Sequence, residues 1–232
     1  MSDAPQHDVT TSSTAPDRPR PVMTRIAISV LFFLVGFALL ARFDVTVSGW
    51  LTRLAPRLAA ENDWTGGSLL RGLRAFAEPV VLVVVVFAVA VLDPRRKRAV
   101  TRLLLALLVG MILFQIGKKS VDRTRPGAYA GTTWHGMWNG VDWEERPVSN
   151  RSFPSGHTTT AFAFGLSLAA LYPRLRWLFV LLAVGCGLSR VIISAHWPSD
   201  CWTGAWIGIT ASWIACRIVH VHPQNEPVPT TT

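Results

Sequence analysis

The sequence predicts an all-α integral membrane protein, a bundle of six transmembrane helices. Half of its 232 residues are hydrophobic and only 16% are charged, whereas an ordinary soluble domain carries about 25% charged residues. The apolar residues lie in separate runs, and several runs approach the roughly 20 residues that a helix needs to cross a bilayer. Polar segments separate the runs, so each run is expected to form one helix.

The predicted elements follow one another along the chain. Residues 1–23 are polar and rich in Ser, Thr, Pro and Asp, which predicts a disordered cytoplasmic tail. The membrane domain covers residues 24–221, and a second polar tail covers residues 222–232. Residues 45–58 have an apolar spacing that predicts a short interfacial helix. The six predicted spans are 26–42, 76–92, 100–116, 157–172, 177–194 and 202–219.

Basic residues in the connections predict how the helices cross the membrane. The connection after the second predicted span contains Arg95, Arg96, Lys97, Arg98 and Arg102. The turn after the fourth predicted span contains Arg174 and Arg176. Cytoplasmic loops carry an excess of Lys and Arg. We therefore expect a multi-pass protein of the plasma (inner) membrane with both termini in the cytoplasm and segments 117–154 and 195–201 outside.

Net charge and cysteine content exclude two other classes of protein. The formal net charge is +9, but the basic residues lie between apolar runs, where topology and anionic lipids account for them. No nucleic-acid recognition motif accompanies the charge, so no nucleic-acid partner is expected. The three cysteines, Cys186, Cys201 and Cys216, are odd in number and lack CxxC spacing, which argues against a disulfide framework.

Three polar clusters fall on the same predicted side of the membrane. They comprise Lys118 with Arg125 and Pro126, then Pro154-Ser155-Gly156-His157, and then Ser189-Arg190 with His196 and Asp200. Three fixed cations, Lys118, Arg125 and Arg190, suit the charge that spreads over a transferring phosphoryl group. Ser155 and Gly156 precede a predicted helix, whose first N–H groups bind anions. The clusters therefore predict a phosphate site.

Two histidines and one aspartate supply reactive groups at this site. One of His157 and His196 can attack phosphorus while the other protonates the leaving oxygen. Asp200, four residues after His196, can hold one imidazole nitrogen and leave the other free. Each residue alone also has a structural interpretation, because cations beside a span often reach the interface and Pro-Ser-Gly often only begins a helix. Their joint occurrence on one side favours chemistry.

These motifs resemble the type-2 phosphatidate phosphatase family, which shares its site with vanadium-dependent haloperoxidases. The family pattern K-x6-RP, PSGH and SR-x5-H-x3-D is matched without departure between Lys118 and Asp200. The resemblance implies a six-helix core, an active site at the extracytoplasmic face, and no metal or other cofactor. It implies that His196 forms a phosphohistidine, that Asp200 orients it and that His157 is the general acid. It assigns phosphate binding to Lys118, Arg125, Ser155, Gly156 and Arg190.

The function implied by the resemblance is a membrane lipid phosphate or diphosphate phosphatase. An outward-facing site favours undecaprenyl diphosphate as the substrate. Phosphatidate and phosphatidylglycerol phosphate stay open as alternatives, because the motifs contact the phosphoryl group and not the lipid tail. A lipid phosphotransferase is a further alternative, since an acceptor hydroxyl could replace water. A haloperoxidase would need vanadate and is soluble, which six spans disfavour, and the presence of both histidines disfavours a non-catalytic lipid-binding protein.

Overall fold

A computed structural model of the chain describes residues 22–54, 66–126, 134–137 and 151–221. Nearly all of both predicted tails, and much of the polar segment 117–154, lie outside the described residues. The described elements are α1 (Val22–Leu54), α2 (Gly66–Ala75), α3 (Pro79–Leu92), α4 (Arg96–Ser120), β1 (Val121–Arg123), β2 (Trp134–Met137), α5 (Gly156–Leu171), α6 (Arg176–Ile192) and α7 (Pro198–Ile218).

Each of the six predicted spans contains a helix, but the first helix is longer than expected. The helix α1 continues to Leu54, so the prediction of a separate interfacial helix over residues 45–58 is wrong for its described part. The polar residues Asp44 and Ser48 are 2% and 5% exposed, and they face protein rather than lipid. Their burial against other helices explains why the helix does not end where the apolar run ends.

Three described helical stretches are long and apolar enough to cross a membrane. They are Met23–Arg53, Arg96–Ser120 and Pro173–Ile192. The pair α2 and α3 adds a fourth span if counted as one helix bent by 52°, with Pro79 at the first position of α3. The helix α5 has only 16 residues. By length and composition the described helices therefore give three or four spans, against the six predicted.

The helix α5 lies at the centre of the bundle and packs against α4, α6 and α7. Glycines let α7 approach α5 closely, since a Cβ at Gly204 would lie 2.6 Å from the Ser155 carbonyl oxygen. A Cβ at Gly208 would lie 2.6 Å from the Thr159 carbonyl oxygen. Within lipid, small residues and hydrogen bonds between helices are the main sources of association. The PSGH segment is therefore fixed against the start of α7.

A two-stranded hairpin after α4 is an element that the all-α prediction lacked. The strands are antiparallel, and Val121 pairs with Met137 while Arg123 pairs with Trp134. The Arg123 carbonyl accepts the N–H of Ser152 at 2.7 Å. This bond holds the segment that leads into α5 beside the end of α4.

Candidate active site

The turn between α6 and α7 presents His196. The Arg190 carbonyl, in the last turn of α6, accepts the N–H groups of Ala195 at 3.0 Å and His196 at 3.2 Å. Ser194 adopts a left-handed φ of 56°, which costs a residue with a side chain about 1–3 kcal/mol and persists only where its surroundings impose it. Pro198 then begins α7. His196 is thus held between two helix ends with only 4% of its surface exposed.

The His196 ring is oriented by the backbone before α5. Its Nδ1 lies 2.8 Å from the Ser152 carbonyl oxygen, and because a carbonyl only accepts, Nδ1 carries the proton and Nε2 keeps its lone pair. Burial lowers the pKa of His196 to about 4. Asp200 opposes this lowering of the pKa, whereas the charges of Arg125 and Lys118 add to it. The ring is neutral at physiological pH, as a nucleophile requires.

Asp200 lies beside this ring but forms its hydrogen bonds with other groups. Its Oδ2 is 3.8 Å from His196 Nδ1, which is beyond hydrogen-bonding distance. The same oxygen accepts the Ser152 hydroxyl at 2.5 Å and the Trp197 N–H at 2.9 Å. The carboxylate therefore acts on the imidazole through its charge and through Ser152, whose carbonyl holds the ring.

Two buried residues that the sequence analysis did not single out complete the surroundings of Asp200. Arg123 donates through Nη1 to Asp200 Oδ1 and through Nη2 to Asp44 Oδ2 at 2.5 Å. Arg123 has no exposed surface and Asp44 is 2% exposed. Arg123 carried no signal of its own, since it lies within the spacer of K-x6-RP. Asp44 could have been noticed in the sequence, because it directly follows an apolar run. An acidic residue within a membrane helix is usually paired and functional.

The three cations predicted to bind phosphate have different partners. Lys118 is 6% exposed and donates to the Arg151 carbonyl. Arg125 Nη1 lies 3.4 Å from the Ala195 carbonyl oxygen. Arg190 is 7% exposed, and its buried Nε and Nη1 have no hydrogen-bond partner among the described residues. Buried donors without a partner are costly, so this guanidinium is suited to an anion that enters the site.

Ser155 and Gly156 bring the start of α5 into the same site. Ser155 has no exposed surface, and its N–H donates to the Asp200 carbonyl at 3.2 Å. Its hydroxyl accepts from Thr158 at 2.9 Å and can still donate. The first N–H groups of α5 lack partners within the helix and form its positive end. A Cβ at Gly156 would lie 3.1 Å from the Phe114 ring, so glycine lets α5 begin directly against α4.

His157, the predicted general acid, contacts a carboxylate that sequence reasoning missed. Its Nε2 lies 3.3 Å from Glu78 Oε1, and Arg74 donates to the same oxygen at 2.9 Å. His157 and Glu78 also line a cavity of about 240 Å³ between α3, α4 and α5. Most of the other lining residues are apolar, including Leu82 and Phe114. His157 therefore lies where the polar contact with Glu78 meets the mostly apolar lining of the cavity.

Short backbone links join the three predicted motifs into one site. The Lys118 side chain reaches the carbonyl of Arg151, the residue before the Ser152 carbonyl that holds His196. The Ser155 N–H is bonded to the carbonyl of Asp200. The result is a neutral imidazole with a free nitrogen beside fixed positive charges and a helix N-terminus, an arrangement that can bind a phosphate and attack it.

Part of the chain is similar in sequence to curated bacterial proteins. Over 110 residues it is 33% identical to a lipid A 1-phosphatase of Rhizobium johnstonii, a region that covers 46% of this chain and 43% of that protein. It is 32% identical over 82 residues to the bacitracin transport permease protein BcrC of Bacillus licheniformis, covering 34% of this chain and 40% of that protein. The chain thus matches less than half the length of these curated relatives.

Two solved structures share its fold. LpxE of Aquifex aeolicus has a TM-score of 0.55 and 23% identity, covering 72% of this chain and 93% of that one. A transmembrane PAP2-type phosphatidylglycerolphosphate phosphatase from Bacillus subtilis has a TM-score of 0.54 and 18% identity, covering 82% and 92%. Residues 99–223 match the sequence profile of the PAP2 superfamily, a stretch that is more than half of the chain and includes all three motifs. This match confirms the resemblance predicted from the motifs, and the chain belongs to the PAP2 superfamily.

Proposed function

We propose that the protein is a membrane lipid phosphatase in which His196 is the nucleophile. The observation that carries the proposal is the bond from His196 Nδ1 to the Ser152 carbonyl, which leaves the Nε2 lone pair free. Burial keeps the ring neutral through its lowered pKa. The positive charges of Lys118 and Arg125 act on the same ring, and we expect these cations to bind the phosphate that Nε2 attacks.

The reaction has two steps. In the first, the Nε2 lone pair of His196 attacks phosphorus, and the bond from phosphorus to the lipid oxygen breaks. His157 gives its proton to that oxygen, which leaves as the lipid alcohol or lipid monophosphate. In the second, water attacks phosphorus and returns a proton to His157, and the nitrogen–phosphorus bond breaks. Inorganic phosphate leaves and His196 returns to its neutral form.

The cations and the start of α5 stabilise charge in both steps. Arg190 offers two buried donors without a partner among the described residues, and it would satisfy them on the phosphoryl oxygens. Lys118 and Arg125 add positive charge, while Ser155 and Gly156 contribute a hydroxyl and the N–H groups of the helix end. Donors that are already fixed require no reorganisation when charge develops, which is why such groups accelerate phosphoryl transfer.

The lipid is a second part of the proposal. Undecaprenyl diphosphate is the substrate that we expect from an outward-facing site. Lipid A carrying a 1-phosphate is the competing candidate, because a lipid A 1-phosphatase is among the relatives. Phosphatidylglycerol phosphate and phosphatidate are further candidates, since all four present a phosphoryl group at the membrane surface. Capture of the phosphohistidine by an acceptor hydroxyl would instead make the protein a phosphotransferase.

Topology is the third part, with six spans, cytoplasmic termini and the site outside. The helix α4 begins among basic residues at Arg96, and its last turn, which contains Lys118, lies beside the site. The turn with Arg174 and Arg176 lies at the far end of α5 from His157. Both basic connections therefore lie at the end of the bundle opposite the site, which supports a cytoplasmic position for that end. In intact cells, a membrane-impermeant maleimide should label Cys at Lys119→Cys and not at Lys97→Cys, both exposed positions; the reverse pattern would overturn this orientation.

The activity is tested by phosphate release from the purified protein in detergent with EDTA. The substrates are the four lipids named above, each at the same surface fraction. His196→Ala should abolish release, whereas His220→Ala, a change at an exposed histidine after α7, should leave it unchanged. Release that persists in His196→Ala would refute the assignment of His196 as the nucleophile. Release that requires a divalent metal would refute the proposed metal-independent mechanism.

A further inference from the structure

A buried charge network lies behind the residues that would carry the reaction. Arg123 donates to Asp200 Oδ1, to the Ser199 hydroxyl at 2.8 Å and to Asp44 Oδ2 at 2.5 Å. Its guanidinium carbon lies 4.0 Å from the ring centre of Trp134. A buried ion pair is tolerated only where geometry and further hydrogen bonds are good. Removing one member of such a network would leave a buried charge without its partner.

Asp44 connects α1 to the beginning of α7. Its Oδ1 accepts the Ser199 N–H at 2.9 Å, and its Oδ2 accepts the Ser199 hydroxyl at 2.5 Å. Ser199 is the second residue of α7, so this carboxylate lies at the positive end of the helix. Asp44 lies outside the 99–223 stretch that matches the family profile, and α1 thus contributes a side chain to the site from outside that stretch.

The charges of this network can balance the positive charge that the proposed reaction creates on His196. Asp44 and Asp200 are negative and Arg123 is positive, which leaves one net negative charge beside a neutral His196. When Nε2 bonds to phosphorus, the imidazole becomes positively charged, and the network and ring together become neutral. The buried negative charge would therefore be balanced in the intermediate and in the transition state that leads to it.

We propose that Arg123 and Asp44 are positioning residues that hold Asp200 in place and set the net charge facing the nucleophile. The inference rests on the proposed role of His196 in phosphatase activity. Without Asp44, the Arg123 charge would neutralise Asp200, and the imidazole would lose the negative charge that favours its attack. Without Arg123, two carboxylates would remain buried without a cation, and Asp200 would lose its Oδ1 partner.

The test compares Asp44→Asn, Arg123→Met and the double variant with the parent protein. Mutation of the groups that hold metal-ligating side chains typically costs about 10–100-fold in activity. By analogy we expect a similar loss of kcat for Asp44→Asn, with KM changed by less than about twofold. The double variant restores one net negative charge through Asp200 alone. It should therefore have a higher kcat than either single variant, whereas independent damage would multiply the two losses.

A matched control separates positioning from stability. Asp93 is also a buried acid, 4% exposed, and accepts from Arg95 at 2.8 Å and Tyr172 at 2.7 Å. It precedes α4 by three residues, at the end opposite Lys118, roughly 35 Å away along a 25-residue helix. Asp93→Asn should lower the unfolding temperature and leave kcat unchanged.

The outcomes distinguish the inference from the function on which it rests. A parent protein without phosphatase activity would refute the proposed function. An active parent, with kcat unchanged in Asp44→Asn or with multiplied losses in the double variant, would overturn the inference alone. If Arg123→Met does not fold, Arg123→Lys replaces it in the test. This variant keeps the positive charge but cannot contact Asp200 and Asp44 through two separate nitrogens. It should then retain more activity than Asp44→Asn, and an equal or greater loss would overturn the charge argument.

Discussion

Replacing Asp200 by Asn removes one negative charge from beside His196 while keeping the shape of the side chain. The amide oxygen of Asn can occupy the position of Oδ2 and accept the Ser152 hydroxyl and the Trp197 N–H, which Asp200 accepts at 2.5 and 2.9 Å. The His196 ring keeps its bond to the Ser152 carbonyl. The substitution removes the charge of Asp200 and keeps these two hydrogen bonds, but the amide nitrogen then replaces Oδ1 opposite Arg123 Nη1, so the hydrogen bond from Arg123 is lost as well.

The distance between the two groups sets the size of the effect. With Asp200 Oδ2 at 3.8 Å from His196 Nδ1, a full positive charge on the ring would interact by about 4 kcal/mol at an effective dielectric constant of about 20. If the transition state carries about half of that charge, the loss is about 2 kcal/mol, or roughly 30-fold in rate. The full interaction corresponds to roughly a thousandfold. The expected fall in kcat for Asp200→Asn lies between these values.

Single-turnover kinetics measure this effect directly. Purified parent or variant protein, in molar excess over the substrate, is mixed with radiolabelled lipid phosphate, and the rate of phosphoryl transfer is followed by quenching in alkali. Thermal unfolding in the same detergent, reported by tryptophan fluorescence, checks that the variant is folded. A folded Asp200→Asn protein that transfers the phosphoryl group at the parent rate would refute the electrostatic role of Asp200.

Three further predictions follow from the site and the packing. Burial lowers the pKa of His196 to about 4, against 6.5 in an unfolded chain, so the unfolded chain binds more protons between these values, and stability should fall as pH drops from 6.5 towards 4. On the acid side of the pH profile, kcat/KM corrected for substrate ionisation should fall near pH 4, where His196 becomes protonated. His157→Ala should slow release from a lipid monophosphate more than from a lipid diphosphate, since a phosphate leaving group needs less protonation than an alkoxide; equal slowing would contradict the general-acid role. Gly208→Ala would place a Cβ 2.6 Å from the Thr159 carbonyl oxygen and should destabilise by about 1–3 kcal/mol in denaturant unfolding, whereas Gly72→Ala, whose Cβ meets no described atom within 4 Å, should not.

The positions of the helices and motifs could be predicted from sequence because they depend on local patterns. Apolar runs mark where a helix can lie in lipid, and each of the six runs contains a helix in the structure. The motif spacing likewise predicted a site at the end of α4, the start of α5 and the start of α7. Helix ends were less predictable, since α1 continues through the buried residues Asp44 and Ser48, and Asp44 accepts a hydrogen bond from the distant Ser199 N–H.

Contacts between residues far apart in the chain could not be predicted. Arg123 and Asp44 are 79 positions apart, and no local pattern in one sequence indicates that they meet. Glu78 and His157 are also 79 positions apart. The expected bond between Asp200 and the His196 ring is another example, because the Ser152 carbonyl holds Nδ1 and the carboxylate lies 3.8 Å away. Sequence spacing brought the two residues together but did not specify which atom would hold the ring.

Identification of the phosphorylated residue during turnover tests the central claim most directly. His157→Ala protein, in which the second step lacks its base, is mixed with a radiolabelled lipid diphosphate, denatured in alkali and digested, and the labelled peptide is sequenced by mass spectrometry. We expect a single acid-labile phosphate on His196, absent from the double variant His157→Ala/His196→Ala and retained in His157→Ala/His220→Ala. A phosphate on another residue, or phosphate release by the parent without any covalent label in either protein, would contradict it.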